Sequence, residues 1–214
     1  MAIIATTNGN SNFEIIPTGN YPARCYSMVH IGTIEENIMG ETKKLNKVRI
    51  TWELPTEKKV FKEENGEQPY VISKEFTLSL HEKATLRSYL KNWRGKDFTD
   101  EEAKSFDICK LVGVPCMLNV THKTSKDGQK TYAEIGSISS MPKGLECPPQ
   151  INQSFIFSYD DFSAEKLSLL PEYLRNKIVN SDEYKSLFSS NEVDVSGFQM
   201  VENSSKETHD DLPF

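Results

Sequence analysis

Five runs of alternating apolar and polar residues, with one helical period between the third and the fourth, limit most sharply what this chain can fold into. In the clearest run, Val48, Ile50, Trp52 and Leu54 alternate with Arg49, Thr51 and Glu53, which predicts a half-buried strand ending at Pro55. Before it, residues 21–34 place Ala23, Cys25, Val29 and Ile31 on one face and Arg24, Tyr26, Met28 and His30 on the other. Ser27 on the apolar face, followed by Gly32, predicts a bent strand. Residues 35–44 read as a polar loop, and 56–69 as an insertion turning at Asn65-Gly66. Further strands are expected over 71–80, 111–123 and 132–141, the last two joined by a turn at Lys126-Asp127-Gly128. Between the third and fourth strands, Ala84, Leu86, Leu90 and Trp93 recur at helical spacing, with Gly95 as the C-terminal cap. Thr99 is expected to cap a short helix over 100–104.

No helix separates the other strands, which argues against a parallel βαβ sheet. A curled five-stranded sheet with one helix between strands three and four is the arrangement of the OB-fold barrel, expected here over 13–143. The fold class expected is therefore an all-β core with that single helix, followed by a partly helical, partly disordered C-terminal tail. A polar leader over 1–12 is expected to be disordered. Pro142, Gly144, Pro148 and Pro149 predict a linker over 144–162. Leu167, Leu170, Leu174 and Ile178 then repeat at helical spacing, interrupted by Pro171, so short helices are expected over 163–188. Ser163 and Ser181 are their expected caps. Residues 189–214 read as a disordered acidic tail.

Charge divides along the same boundary. Residues 1–149 carry 20 Lys and Arg against 19 Asp and Glu, whereas residues 150–214 carry 5 against 12. The net charge of −6 is thus concentrated in the last third, and a near-neutral body can still hold a basic groove. No apolar run approaches the roughly 20 residues that cross a membrane as a helix, and the first residues lack the basic start of a secretory signal. Four scattered cysteines without a CxxC pair predict reduced thiols and a cytoplasmic location. The four histidines form no HExxH pattern, and there is no GxSxG elbow. Cys109, Cys116 and His122 have the count of a zinc set, but Cys116 falls on an apolar strand face and reads as core. The residues predict no enzyme, no cofactor and no metal.

The sequence closes on His209-Asp210-Asp211-Leu212-Pro213-Phe214. An acidic run before an aliphatic, a proline and a phenylalanine suits insertion of Phe214 into an apolar pocket while basic residues hold the carboxylates. This segment, Asp210, Asp211, Leu212, Pro213 and Phe214, resembles the tip of bacterial and phage single-stranded-DNA-binding proteins. The body is similar to phage OB-fold members of that class at 16–21, at 47–54, and at 76–96 with its Trp93-Arg94-Gly95-Lys96. The resemblance implies a sequence-nonspecific protein that coats single-stranded DNA and recruits replication, recombination or repair proteins through its tip. It also implies the bacterial host cytoplasm if the chain is phage-encoded, and is compatible with a homo-oligomer.

Such binding needs a cationic groove and aromatic faces on which bases stack. The candidates are Arg24, Tyr26, His30 and Arg49 on the non-core faces of the first two strands. Lys43, Lys44 and Lys47 follow the first inter-strand loop, Lys74 lies in the third strand, and Lys123, Lys126, Lys130 and Tyr132 surround the last hairpin. Trp52 and Trp93 are assigned to the core. Three rivals stay open on the residues: an RNA-binding or strand-annealing protein, an adaptor whose barrel binds protein, and a small nuclease.

Overall fold

A computed structural model describes residues 15–189; the expected leader and residues 190–214, which include Asp210 to Phe214, lie outside the described residues. Five strands, β1 (Gly19–Ile38), β2 (Glu41–Val60), β3 (Glu67–Thr77), β4 (Pro115–Thr124) and β5 (Thr131–Ser139), form a sheet in the order β3-β2-β1-β4-β5. Neighbours on this path are antiparallel. A sixth strand, β6 (Phe155–Phe157), lies parallel to β1 at Ser27 to Val29. Helices α1 (Thr85–Arg94) and α2 (Asp100–Ser105) separate β3 from β4, and α3 (Ala164–Ser168), α4 (Glu172–Val179) and α5 (Asp182–Ser189) follow β6. The chain is therefore mostly β with few helices, as its alternation predicts. Among the described residues no helix is long and apolar enough to cross a membrane.

The sheet extends further than hydropathy suggests. The loop expected at 35–44 is instead the end of a long hairpin that turns at Met39-Gly40. Glu35 faces Lys44 and Glu36 faces Lys43 across this ladder, and opposite charges directly across a pair favour strand pairing. Nor does Pro55 end β2. It is buried at a bulge between Leu54 and Lys58, where its missing N–H interrupts no ladder bond. Residues 56–69 are correspondingly an extension of the β2–β3 hairpin rather than a separate insertion.

The bend in β1 is present, and it overturns the expected faces. Register shifts between Cys25 and Ser27, and between His30 and Gly32, invert the alternation. Met28 joins Ala23 and Cys25 in the main core, while Val29 and Ile31 turn to the opposite side. One side chain of difference in register reverses every residue that follows.

Two cores result. The larger is enclosed by β1 to β5 and α1, with Trp52 against Trp93 at 5.6 Å between ring centroids. The Trp93 indole N–H donates to the Pro115 carbonyl at 2.9 Å. Gly95 ends α1 at φ 72°, a conformation open to glycine without steric cost. Arg94 packs its guanidinium over Phe98 at 4.2 Å and pairs with Glu102. Glu102 also completes a capping box with Thr99 at the start of α2. The smaller core joins Val29 and Ile31 to Phe157, Leu170, Leu174 and Ile178. The expected helices over 163–188 therefore form and cover the outer side of β1. Ser163 accepts from the Lys166 N–H and Ser181 from the Tyr184 N–H, as their capping roles predict.

Residues 144–162, expected as a linker, are seated on the sheet. Glu53, fully buried, accepts hydrogen bonds from the Ile151 and Asn152 backbone N–H groups at 2.6 and 2.8 Å, and from the Asn152 amide at 2.7 Å. The anchors lie about a hundred residues away in sequence, so local composition does not reveal them.

Candidate nucleic-acid interface

The register separates the candidate cations into two groups. β4 runs antiparallel to β1, with Val120 opposite Gly19 and Pro115 opposite Arg24. The β4–β5 turn thus lies beyond the beginning of β1, whereas the β1–β2 turn lies beyond its end. The two loops occupy opposite ends of the strands.

On the β1–β2 side the cations are committed to other groups. Arg24 donates to the carbonyls of Gly113 at 2.6 Å, Cys147 at 3.1 Å and Pro148 at 3.0 Å, which fastens 147–148 to the sheet. Lys43 pairs with Glu41 at 3.0 Å, Lys44 with Asp182 at 2.8 Å, and Lys47 with Glu36 at 2.9 Å. The Asp182 hydrogen bond raises Lys44 above its ordinary value. Arg49 lies 3.4 Å from Glu75 and 5.5 Å from the centre of the Tyr173 ring. Glu75 also receives Lys177 of α4 at 2.8 Å. His30 shares a 2.8 Å hydrogen bond with Asn46 and meets the Tyr159 ring edge-on at 5.1 Å. Tyr26 sits at the β1 bulge, where burial and then the Glu53 carboxylate push its hydroxyl up to about 12.

The β4–β5 hairpin differs. Its turn is held internally: the Gly128 N–H donates to the Ser125 carbonyl at 2.9 Å, and the Lys130 N–H to the Ser125 hydroxyl at 3.0 Å. Asp127 accepts from the Ser125 hydroxyl and from the Gln129 N–H, and the Ser125 bond holds its carboxyl below the ordinary range. The only acid of the turn is thereby occupied within it. Lys126 and Lys130 form no ion pair among the described residues. Tyr132 is 44% exposed, with Lys123 directly across the ladder.

The edge strands β3 and β5 run in the same direction and their side chains meet. Glu134 of β5 lies 3.6 Å from the Lys74 ammonium and 3.4 Å from that of Lys123. Tyr89 of α1 spans the same seam. Its hydroxyl donates to the Ile135 carbonyl at 3.1 Å, its ring lies 4.9 Å from Phe76, and Lys74 stands 5.3 Å above it.

The structure therefore brings Lys74, Lys123 and Tyr132 together, with Lys126 and Lys130 in the adjoining turn. It separates them from Arg24, Tyr26, His30, Lys43, Lys44, Lys47 and Arg49. Glu134, Tyr89 and Tyr173 were not among the expected residues. Glu134 was accessible from strand parity, since it shares a face with Tyr132, but a cationic groove with aromatic faces gives no place to an acid. Nothing local signals that Tyr173 reaches Arg49. The zinc set does not assemble: Cys116 is fully buried in the core and His122 bonds the Ile16 carbonyl at 2.8 Å. Among the described residues no three His, Cys, Asp or Glu are placed to hold a metal ion. Comparison with protein families, with curated proteins and with solved structures finds no match to this chain.

Proposed function

We propose that this chain is a sequence-nonspecific single-stranded-DNA-binding protein built on an OB-fold barrel, and that it binds rather than transforms its ligand. The observation that carries the reading is the β4–β5 hairpin, whose turn carries the exposed Lys126 and Lys130 and whose β5 strand carries, near its start, the exposed Tyr132 opposite Lys123. Cations that neutralise phosphates, next to an aromatic face on which any base stacks, are the two requirements of such binding. The barrel reading is supported by the strand order, by the helix between β3 and β4, and by the meeting of β3 and β5 side chains at the seam. The segment Asp210 to Phe214 would recruit replication, recombination or repair proteins, because its charge repels DNA and its phenylalanine suits an apolar pocket.

Labelled oligo-dT, oligo-U and duplex of equal length, titrated by anisotropy, test the reading. Trp52 and Trp93 are buried at 1% and 3% exposure, so the label rather than the indoles must report. The expected order is oligo-dT tightest, with duplex weakest because its bases are already stacked. Preference for oligo-U would select the RNA-binding rival. Absence of binding to all three would leave the protein-binding adaptor, and cleavage of the strand in magnesium would select the nuclease.

A further inference from the structure

We propose that Glu134 holds the place of a phosphate, keeping Lys74 and Lys123 assembled at the β3–β5 seam until a nucleic-acid strand displaces it. This rests on the nucleic-acid reading and specifies how that site is gated. Two ammonium groups converge on one carboxylate, from β3 on one side and β4 on the other, so the cluster retains one uncompensated positive charge. The separations, 3.6 and 3.4 Å, are longer than Lys177–Glu75 at 2.8 Å and Lys47–Glu36 at 2.9 Å, and similar to the looser Arg49–Glu75 pair at 3.4 Å. A carboxylate shared by two cations on a partly exposed surface contributes little to folding, and a phosphodiester, which carries the same single negative charge on two non-bridging oxygens, can take its place.

The surroundings favour this exchange. Lys74 stands over the Tyr89 ring, which keeps its ammonium at the seam after Glu134 leaves. Tyr132 shares the Glu134 face of β5, two residues away, and lies opposite Lys123. A base stacked on Tyr132 would bring its phosphate beside two lysines already in position. The competing route over the outer face of β1 and β2 is taken by the chain's own segments. Ile151 and Asn152 sit on Glu53, while Tyr173 and Lys177 sit on Arg49 and Glu75.

The test is oligo-dT affinity of the full chain carrying Glu134→Gln, which keeps the shape and removes the charge. Its affinity should rise roughly three- to tenfold at low salt, with the gain shrinking as salt screens the lysines. Glu134→Asp should stay close to the parent protein. The gain should vanish in the double variant Lys74→Gln/Glu134→Gln but largely persist in Lys110→Gln/Glu134→Gln, which has the same net charge with its lost lysine outside the seam. Glu101→Gln, on α2 and outside the seam, should give less than about a twofold change. Unchanged or weaker binding by Glu134→Gln, or an equal gain in Glu101→Gln, would overturn the assignment. Should the parent protein bind no oligo-dT, the nucleic-acid reading fails and this one with it. A parent that binds, with no gain in Glu134→Gln, removes this inference alone.

Discussion

Tyr132 is the residue at which stacking can be measured separately from charge. Its ring is 44% exposed and carries no ionic group, so removing it leaves the lysines of the hairpin intact. Stacking of a base on an aromatic face contributes about 1–3 kcal/mol. Tyr132→Ala should therefore weaken oligo-dT binding by roughly five- to a hundredfold, and Tyr132→Phe should bind like the parent protein. Equal affinities for all three in an anisotropy titration would make Tyr132 an ordinary surface residue. Its position was legible, because the Lys126-Asp127-Gly128 turn and the alternation around it determine the register. Arg24 shows the opposite case. A charged residue on the polar face of a strand reads as solvent-facing, yet three backbone carbonyls from distant parts of the chain take up its guanidinium. Glu53 is the same case with the opposite charge.

Among the elements, α5 is joined to β1 by a contact that titrates. Glu183 accepts from the Thr33 N–H at 2.5 Å and from the Thr33 hydroxyl at 2.7 Å. Burial pushes its carboxyl up, but the two Thr33 bonds, its own backbone N–H and nearby His30 together hold it below its ordinary value of 4.5. Gly32 leaves the space for this contact: a Cβ there would lie 2.7 Å from both Glu183 Oε2 and the Tyr159 hydroxyl, at a φ of +91°. A carboxyl whose folded value is depressed contributes stability that is complete above the unfolded value and is lost as pH falls through the folded one. The attachment of α5 should accordingly weaken on acidification below about pH 4.5. Near-ultraviolet circular dichroism from Tyr159 and Tyr184 should show that step in the parent protein and lose it in Glu183→Gln. Identical acid titrations for the two would contradict the assignment. The helices themselves were readable from their serine caps and leucine spacing. What they cover was not, because Ser27 marks the bend without showing that Val29 and Ile31, which keep the apparent alternation of Ala23 and Cys25, turn to the other side.

At the scale of the whole molecule, β1 lies between two cores, one enclosed by the sheet and α1 and the other by α3 to α5. Composition suggested a body followed by a separable acidic third. Within the described residues, however, 144–189 closes one face of the sheet and carries the partners of Lys44, Glu53 and Glu75. The proposed binding surface is thereby confined to the β4–β5 hairpin and the seam it adjoins. The succession of strands along the chain and the place of α1 were legible because alternation and helical period are local properties. The confinement was not, since it depends on contacts across the full length of the chain. Neutralisation of phosphates at this hairpin is tested by the salt dependence of oligo-dT binding, measured for the parent protein and for Lys126→Ala/Lys130→Ala. For single strands, log K falls against log salt by roughly 0.7 for each phosphate neutralised. The slope should be flatter in the double variant, by about 1.4, with affinity reduced alike for every base sequence. Parallel lines of equal affinity would place the nucleic acid elsewhere on the molecule and contradict it.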